Sequence, residues 1–268
     1  MIKRTFNSVL FRAKWARLGV WFFRSRDFHP RVVKVAGRRI QLSFPPGERE
    51  AQEYELGQIY FNDCYRLCDV TPASETIVDI GANVGLFSLV ARHHFPRATI
   101  HCYEPNRSLA PLLERHLNPL GVTVFHEAVG PRSGAINLIF GDDGSMHTKV
   151  KDSVDGEVAM VSLDTVATRC GGCIDLLKLD CEGSEWAILE NSAAIDCVNE
   201  ITMEYHLWAR PGSTTDDLSS LLRRRGFEIV SQKIEQTKSW GLLHAKRHHV
   251  RGHQSRDDQP PPRLAVDT

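Results

Sequence analysis

Two pairs of ionisable side chains close apolar runs in this 268-residue chain: Lys178 with Asp180 at the end of residues 174–180, and Glu204 with His206 at the end of residues 198–206. Two residues apart on extended backbone, the members of each pair share a face. Open α/β sheets bind ligands beyond the carboxyl ends of their strands, where both pairs would stand. A carboxylate and an imidazole there can align a hydroxyl and take its proton as the oxygen attacks an electrophilic carbon. Asp180 has the better expected position, His206 has the ordinary pKa of a base near neutrality, and Lys178 joins them as a candidate catalytic group. The alternatives are a structural ion pair for Lys178 with Asp180 and a hydrogen-bonded strand-end imidazole for His206. Asp180, Glu182 and Glu204 also offer hard oxygen ligands that suit Mg2+, which would acidify a bound hydroxyl; this ranks second, and no metal site is assigned. Glu185 suits the N-terminus of the helix that it begins and reads as structural.

A second constellation lies upstream. Residues 77–88 read Ile-Val-Asp-Ile-Gly-Ala-Asn-Val-Gly-Leu-Phe-Ser, a buried strand meeting a helix through Gly81 and Gly85. Glycine lets a ligand approach the backbone, and the N–H groups of a helix N-terminus favour an electron-rich partner. The glycine spacing departs from the GxGxxG of dinucleotide enzymes, which disfavours NAD. Asp79, before the first glycine, suits a cationic ligand such as S-adenosylmethionine, whose amino group it would attract directly or through water. Glu104 follows 25 residues later at the tip of the next strand, where a carboxylate accepts ribose hydroxyls. Glu127, near the end of the third strand, is the candidate acceptor for the adenine amino group, with a solvated loop glutamate as its alternative.

These residues need a sheet to hold them. Short apolar runs at 77–80, 99–103, 122–129, 174–179 and 198–205 alternate with helical stretches at 84–93, 108–117, 185–191 and 214–225, the pattern of a parallel sheet covered on both faces. Residues 227–231 and 240–244 read as closing strands. Upstream, residues 31–44 alternate around Ala36-Gly37 as a hairpin does, and 48–68 carry helical spacing. The expected organisation is an N-terminal layer over 1–70, an α/β domain over 71–245 and a disordered tail over 246–268. Residues 141–148 are turn-rich and read as a loop over the site, with an ordinary surface loop as the alternative.

Charge and composition exclude several classes. At 42% hydrophobic and 25% charged, the chain is globular rather than disordered throughout. Its net charge of zero conceals eleven Lys and Arg against Asp27 alone in residues 1–47, and 22 bases against 32 acids thereafter. The acidic body argues against nucleic acid as partner. No apolar stretch approaches the ~20 residues that cross a bilayer. Arg12, Lys14 and Arg17 interrupt any signal-peptide core, and seven scattered cysteines suit a reducing compartment, so a cytoplasmic location is expected. Residues 3–26 mix aromatics with bases and could rest on the inner membrane surface, although a helix capping the core is the favoured reading. Cys170-Gly-Gly-Cys173 has zinc-knuckle spacing without an ordered second pair, and reads as a turn.

Val78-Asp-Ile-Gly-Ala-Asn-Val-Gly85, Tyr103-Glu-Pro-Asn106, Glu127-Ala-Val-Gly130, Leu163-Asp164 and Leu177-Lys-Leu-Asp-Cys-Glu-Gly-Ser-Glu185 together resemble the FkbM-type methyltransferases, in that family's order. The resemblance covers about residues 76–206. It implies a Rossmann-like class I methyltransferase sheet, doubly wound. It also implies methyl transfer from S-adenosylmethionine, usually to oxygen on sugars, lipids or secondary metabolites. The cofactor would be held by Asp79, Gly81, Asn83, Gly85 and Glu104, with Asp180 beside its methyl group. The acceptor expected is a glycan, glycolipid or small hydroxylated metabolite. A base methyltransferase acting on nucleic acid would carry an Asn/Asp-Pro-Pro-aromatic run where this chain reads Asp-Cys-Glu-Gly. A cofactor-free interaction module is the non-enzymatic alternative.

Overall fold

A computed structural model describes residues 9–21, 29–141, 144–152, 156–234 and 239–247. Seven strands build the main sheet: β3 (Thr76–Ile80), β4 (Thr99–Tyr103), β5 (Thr123–Phe125), β10 (Ile174–Leu179), β11 (Val198–His206), β12 (Phe227–Ile234) and β13 (Trp240–Arg247). They lie in the order β12-β13-β11-β10-β3-β4-β5, parallel throughout the β11 to β5 half. Only β13 runs antiparallel to its neighbours β11 and β12. The order doubles back at β3 and β10, so a crevice opens at their carboxyl ends.

Helices cover both faces, which is why the strands read as continuous apolar runs. Consecutive strand residues enter different cores: Ile77 and Leu176 join the cluster under α3 (Leu86–His94) and α4 (Ala110–Leu117), while Val78 and Leu177 join that under α6 (Glu185–Asn191) and α7 (Thr215–Arg224). Asp79, Lys178 and Asp180 therefore fall on the α3 side. Helix α7 begins with a capping box in which Thr214 accepts from the Asp217 N–H and Asp217 accepts in return.

The N-terminal layer packs on that same α3 side. Helix α1 (Val9–Arg17) buries Phe11 and Trp15, with Leu18 and Val20 following, so the described part of the arm caps the core. Trp15 meets Tyr60 edge-on at 5.1 Å, and the Tyr60 hydroxyl donates to the Lys14 carbonyl at 2.8 Å. The hairpin pairs β1 (Val32–Val35) with β2 (Arg38–Gln41). Helix α2 spans Arg49–Tyr60 and does not reach Cys68 as its periodicity predicts. Asp63 ends it: at φ 51° its carboxylate accepts from the Leu67 and Cys68 N–H groups, turning the chain back.

Three further expectations are corrected. The run 122–129 is two strands, because at His126 the chain leaves the main sheet and β6 (Ala128–Gly130) pairs instead with β9 (Val158–Ser162). The turn-rich stretch 141–148 is mostly strand, in the hairpin of β7 (Gly134–Gly141) and β8 (Gly144–Asp152); together with β6 and β9 this forms a second sheet that apolar alternation did not reveal. Strand β13 continues to Arg247, whose guanidinium donates to the Val198, Ile195 and Arg225 carbonyls, so the domain passes the expected boundary at 245. The disordered tail expected after it falls on residues outside those described, apart from Lys246 and Arg247.

Glu200 on β11 ties the N-terminal layer to the sheet edge. Its carboxylate accepts from the Thr71 backbone and hydroxyl and faces His244 at 3.2 Å and Lys246 at 3.3 Å. Burial alone would raise this carboxyl, but hydrogen bonds from His244 and Thr71 and the Lys246 charge outweigh it and lower it from 4.5 to about 2. Stability from Glu200 is thus present above its unfolded value and lost as pH falls toward about 2. Glu200→Gln should cost about 2–3 kcal/mol in urea unfolding at neutral pH. The difference from wild type should shrink as the unfolding series is taken to acid.

Candidate active site

Gly81 is where β3 and β10 come closest beyond their ends. It takes φ 75°, and a Cβ on it would lie 1.7 Å from the Asp180 carbonyl oxygen, so no side chain fits. Its N–H donates to Tyr103 at 3.0 Å, fixing the turn against β4. Lys178 holds the other side. Its buried Nζ donates to the Gly81 carbonyl at 2.6 Å and lies 3.2 Å from Asp79 and 3.5 Å from Asp180. Burial would lower this ammonium, but the two carboxylates reverse the effect and raise it, so it stays charged. The pairing places Lys178 as the tie of the turn rather than as a free catalytic group.

Two cavities flank the turn and share Gly81, Asn83, Asp180 and Glu182 in their walls. The smaller, about 80 Å³, lies between β3 and β4 under Tyr103 and contains Glu104 and Glu127. Glu104 is 7% exposed and accepts from the Asn83 N–H at 2.7 Å and the Asn106 N–H at 2.8 Å, one per oxygen, leaving lone pairs toward the cavity. Burial raises its carboxyl to about 7 despite those two donors. Asn83 sits at φ 51°, and its buried Oδ1 has no hydrogen-bond partner among the described residues. A free amide oxygen and a half-used carboxylate at one wall are a set that hydroxyls and a cationic group would complete.

Three expected cofactor contacts sit differently. Asp79 is fully buried, accepts from the Ser88 hydroxyl at 2.7 Å, and lines neither cavity; its odd-numbered place on β3 directs it beneath α3. Gly85 also lines neither: at φ 84° it lets α3 pack against Leu113 and Leu117, whose methyls would come within 2.9 Å of a Cβ. Glu127 does line the smaller cavity, but both its oxygens pair with Arg169, which leaves fewer acceptors for an adenine amino group.

The larger cavity, about 350 Å³, opens toward the N-terminal layer. Asp180 lies in its floor, where the Tyr65 hydroxyl donates to Oδ2 at 3.0 Å and leaves Oδ1 toward the cavity. Burial and the Asp180 charge push the Tyr65 phenol well above its ordinary value, so it remains a donor. His206 is buried with Nδ1 3.3 Å from Glu185, and with Nε2 3.5 Å from Glu204 and 3.6 Å from Glu182. Burial would lower the imidazole, but hydrogen bonds with Glu185 and Glu204, added to the surrounding acidic charge, raise it to about 11. This surrounding set of acids stands against His206 as a neutral proton acceptor and favours a charged imidazole that orients carboxylates. Asp180, Glu182 and His206 bring candidate ligand atoms within 4.8 Å of one another, a set that shares Asp180 and Glu182 with the oxygen ligands expected for Mg2+. Glu185 accepts from the Cys181 and Gly183 N–H groups and fixes the turn before α6.

The sequence reading passes over Glu55, Tyr65, Trp208 and Trp240, all of which line this cavity. None carries a spacing signal: Glu55 and Tyr65 reach the cavity when the N-terminal layer folds onto β10 and β11, and Trp208 and Trp240 reach it from just beyond the end of β11 and from the start of β13.

Residues 79–229 match the family model described as Methyltransferase FkbM domain. Among curated relatives, the chain is 25% identical over 235 residues to Methyltransferase sdnD of Sordaria araneosa, covering 73% of this chain and 89% of that protein. It is 24% identical to 31-O-demethyl-FK506 methyltransferase FkbM of Streptomyces tacrolimicus, covering 66% and 82%. With the AMB antimetabolite synthetase AmbE of Pseudomonas aeruginosa it shares 28% identity over 71% of this chain, yet it spans only 12% of that protein. Among solved structures, magnesium protoporphyrin IX methyltransferase of Synechocystis PCC 6803 with bound SAM overlays with a TM-score of 0.47 at 11% identity, covering 92% of this chain and 95% of that one.

The acidic cage makes a direct statement about His206. Its imidazole proton resonances should show no titration between about pH 5 and 9. Glu185→Gln should bring its midpoint down into that window. A midpoint near 6.5 in the wild-type chain would show that the cage does not hold the proton.

Proposed function

Because the chain belongs to the FkbM family of S-adenosylmethionine-dependent methyltransferases, we propose that it methylates a hydroxyl of a sugar, glycolipid or other small hydroxylated metabolite. The observation that carries this reading is the pair of cavities meeting at Gly81, Asn83, Asp180 and Glu182. In it, Glu104 and Asn83 hold the ribose and amino-acid portions of the cofactor. The cofactor, when bound, supplies a methyl carbon made electrophilic by its sulfonium. Asp180, anchored by Tyr65 and Lys178, orients the acceptor, while Glu182 and Glu204 are kept in place by the His206 imidazolium. Asp79 acts through Lys178, and Gly85 through packing.

The larger cavity combines carboxylates with Tyr54, Trp208 and Trp240, faces on which a sugar ring can rest while its hydroxyls find acceptors. The same carboxylates would repel a polyphosphate backbone, which supports a small acceptor over nucleic acid. No described helix is long and apolar enough to cross a membrane. Val9, Leu10 and Trp21 are more than 80% exposed on an arm that also carries Arg12, Lys14 and Arg17, which supports peripheral contact of the N-terminal arm with an anionic bilayer.

Calorimetry with S-adenosylmethionine is the first test: saturable heat is expected, and Glu104→Ala should weaken binding about tenfold or more. No heat with the wild-type chain would favour the cofactor-free module. Tritiated methyl transfer into fractions of a cell extract then identifies the acceptor class, and label confined to nucleic acid would overturn the proposal. For the arm, the wild-type chain should sediment with phosphatidylglycerol vesicles and a Leu10→Ser/Trp21→Ser variant should not. A wild-type chain that stays in the supernatant removes the membrane contact.

A further inference from the structure

Six acidic or basic side chains line the larger cavity, and five of them are committed to one another or to the frame. Lys178 joins Asp79 and Asp180, Asp180 accepts from Tyr65, and the His206 imidazolium faces both Glu182 and Glu204. Glu55, from the face of α2 that also presents Gln52 and Ile59, makes no hydrogen bond or ion pair with any described residue. It lines the same cavity as Asp180, near enough to feel its charge, on a layer outside the family-matched segment 79–229.

With the methyl-transfer function above as premise, we propose that Glu55 is the base that takes the proton of the acceptor hydroxyl. The committed groups are poor candidates: Asp180 is pinned by Tyr65 and Lys178, Glu182 and Glu204 are held by an imidazolium, and His206 already carries its proton. Asp180 keeps Oδ1 toward the cavity, but its charge is already shared with Lys178 and Tyr65 through Oδ2, whereas Glu55 meets an incoming hydroxyl with neither oxygen engaged by a described residue. In the step, the acceptor O–H bond breaks and its proton passes to a Glu55 oxygen. The oxygen's electron pair forms the new O–C bond, and the pair of the broken C–S bond returns to sulfur, leaving a neutral thioether. Glu55 then releases its proton to solvent through the open cavity.

The surroundings suit that exchange. Burial first, then the charges of Asp180 and Glu204, raise the Glu55 carboxyl to about 7 against the pull of Lys178. Cys64 and Tyr65 also face it, and burial keeps both protonated near neutrality; Glu182 and His206 complete the ionisable groups of the cavity. A base so poised is part ionised at neutral pH and still basic enough to hold a transferred proton. The same unpaired acid selects the acceptor. A neutral polyol or an amino sugar fits beside Glu55, whereas an acceptor bearing phosphate or carboxylate near its reactive hydroxyl would be repelled.

Two measurements test this, one of them without any acceptor. Carbon NMR of the apo chain labelled at Glu carboxyls should show a resonance with a midpoint near 7 that disappears in Glu55→Gln, leaving that of Glu104 in place. With tritiated S-adenosylmethionine and the extract fraction that takes up label, Glu55→Gln should lower the saturated rate about a hundredfold. Its cofactor affinity should be unchanged, and it should lack the rise in rate expected of wild type from about pH 6 to 8. Glu55→Asp should recover part of the rate. An unaltered rate in Glu55→Gln, a loss confined to cofactor affinity, or persistence of the pH limb would overturn the assignment alone. A wild-type chain that binds the cofactor yet labels no hydroxylated fraction would overturn the methyl-transfer function and the role of Glu55 with it.

Discussion

One buried ammonium holds the site together. Lys178 brings Asp79 on β3, Asp180 beyond β10 and the Gly81 carbonyl to a single point, at the place where the sheet order reverses. Removing one partner of such a group leaves an uncompensated buried charge, a cost of about 3–5 kcal/mol. The Lys178 contacts also explain why Gly81 must be glycine: drawn together by that charge, the two strands leave no room for a Cβ. Everything functional is hung from this junction, since Asn83 follows the turn, Glu104 accepts the Asn83 N–H, and Asp180 and Glu182 extend from the partner strand.

Around it, acids of the same type acquire different roles from their neighbours. Asp79 and Glu185 are sealed in and serve as anchors, one for Lys178 and one for His206. Glu104 spends one lone pair per oxygen on backbone and keeps the rest. Glu182 and Glu204 are countered by an imidazolium, while Glu55 has no hydrogen bond or ion pair with a described residue and only the charge of Lys178 to counter it. Environment alone decides which acid stays charged, which holds a proton and which can exchange one.

That dependence on environment marks where the sequence was readable. The strands β3, β4, β10 and β11 and the glycine turn were legible because buried parallel strands leave apolar runs and a backbone junction demands glycine. Glu104 was legible because its position at the tip of β4 follows from the β-α-β unit. His206 was found at its place, but its protonation was not, since three acids reach it from the β10–α6 turn and from β11 itself. Asp79 and Gly85 occupy motif positions, yet whether such a residue faces a cavity or a helix depends on packing that the motif does not encode. The second sheet escaped notice because its strands carry many polar residues, and α2 ended early because the Asp63 carboxylate, by capping the Leu67 and Cys68 N–H groups, outweighed the periodicity of residues 48–68.

The division between the two cavities follows the division of the chain. The smaller is built from the turn after β3, the tips of β4 and β10 and the start of β6, segments within or beside the residues that match the family model. The larger takes Glu55 and Tyr65 from the N-terminal layer, which lies before residue 79, and Trp240 from β13, which lies after residue 229. On the proposed function, the donor would be held by the part of the chain that carries the motifs, while the acceptor would also meet walls from the N-terminal layer and β13, which carry none. An acidic, aromatic wall packed onto a fixed junction can be exchanged for another without disturbing Lys178, Gly81 or Glu104. The acceptor must therefore be sought through the chemistry of Glu55, Tyr65 and the tryptophans rather than through the glycine turn.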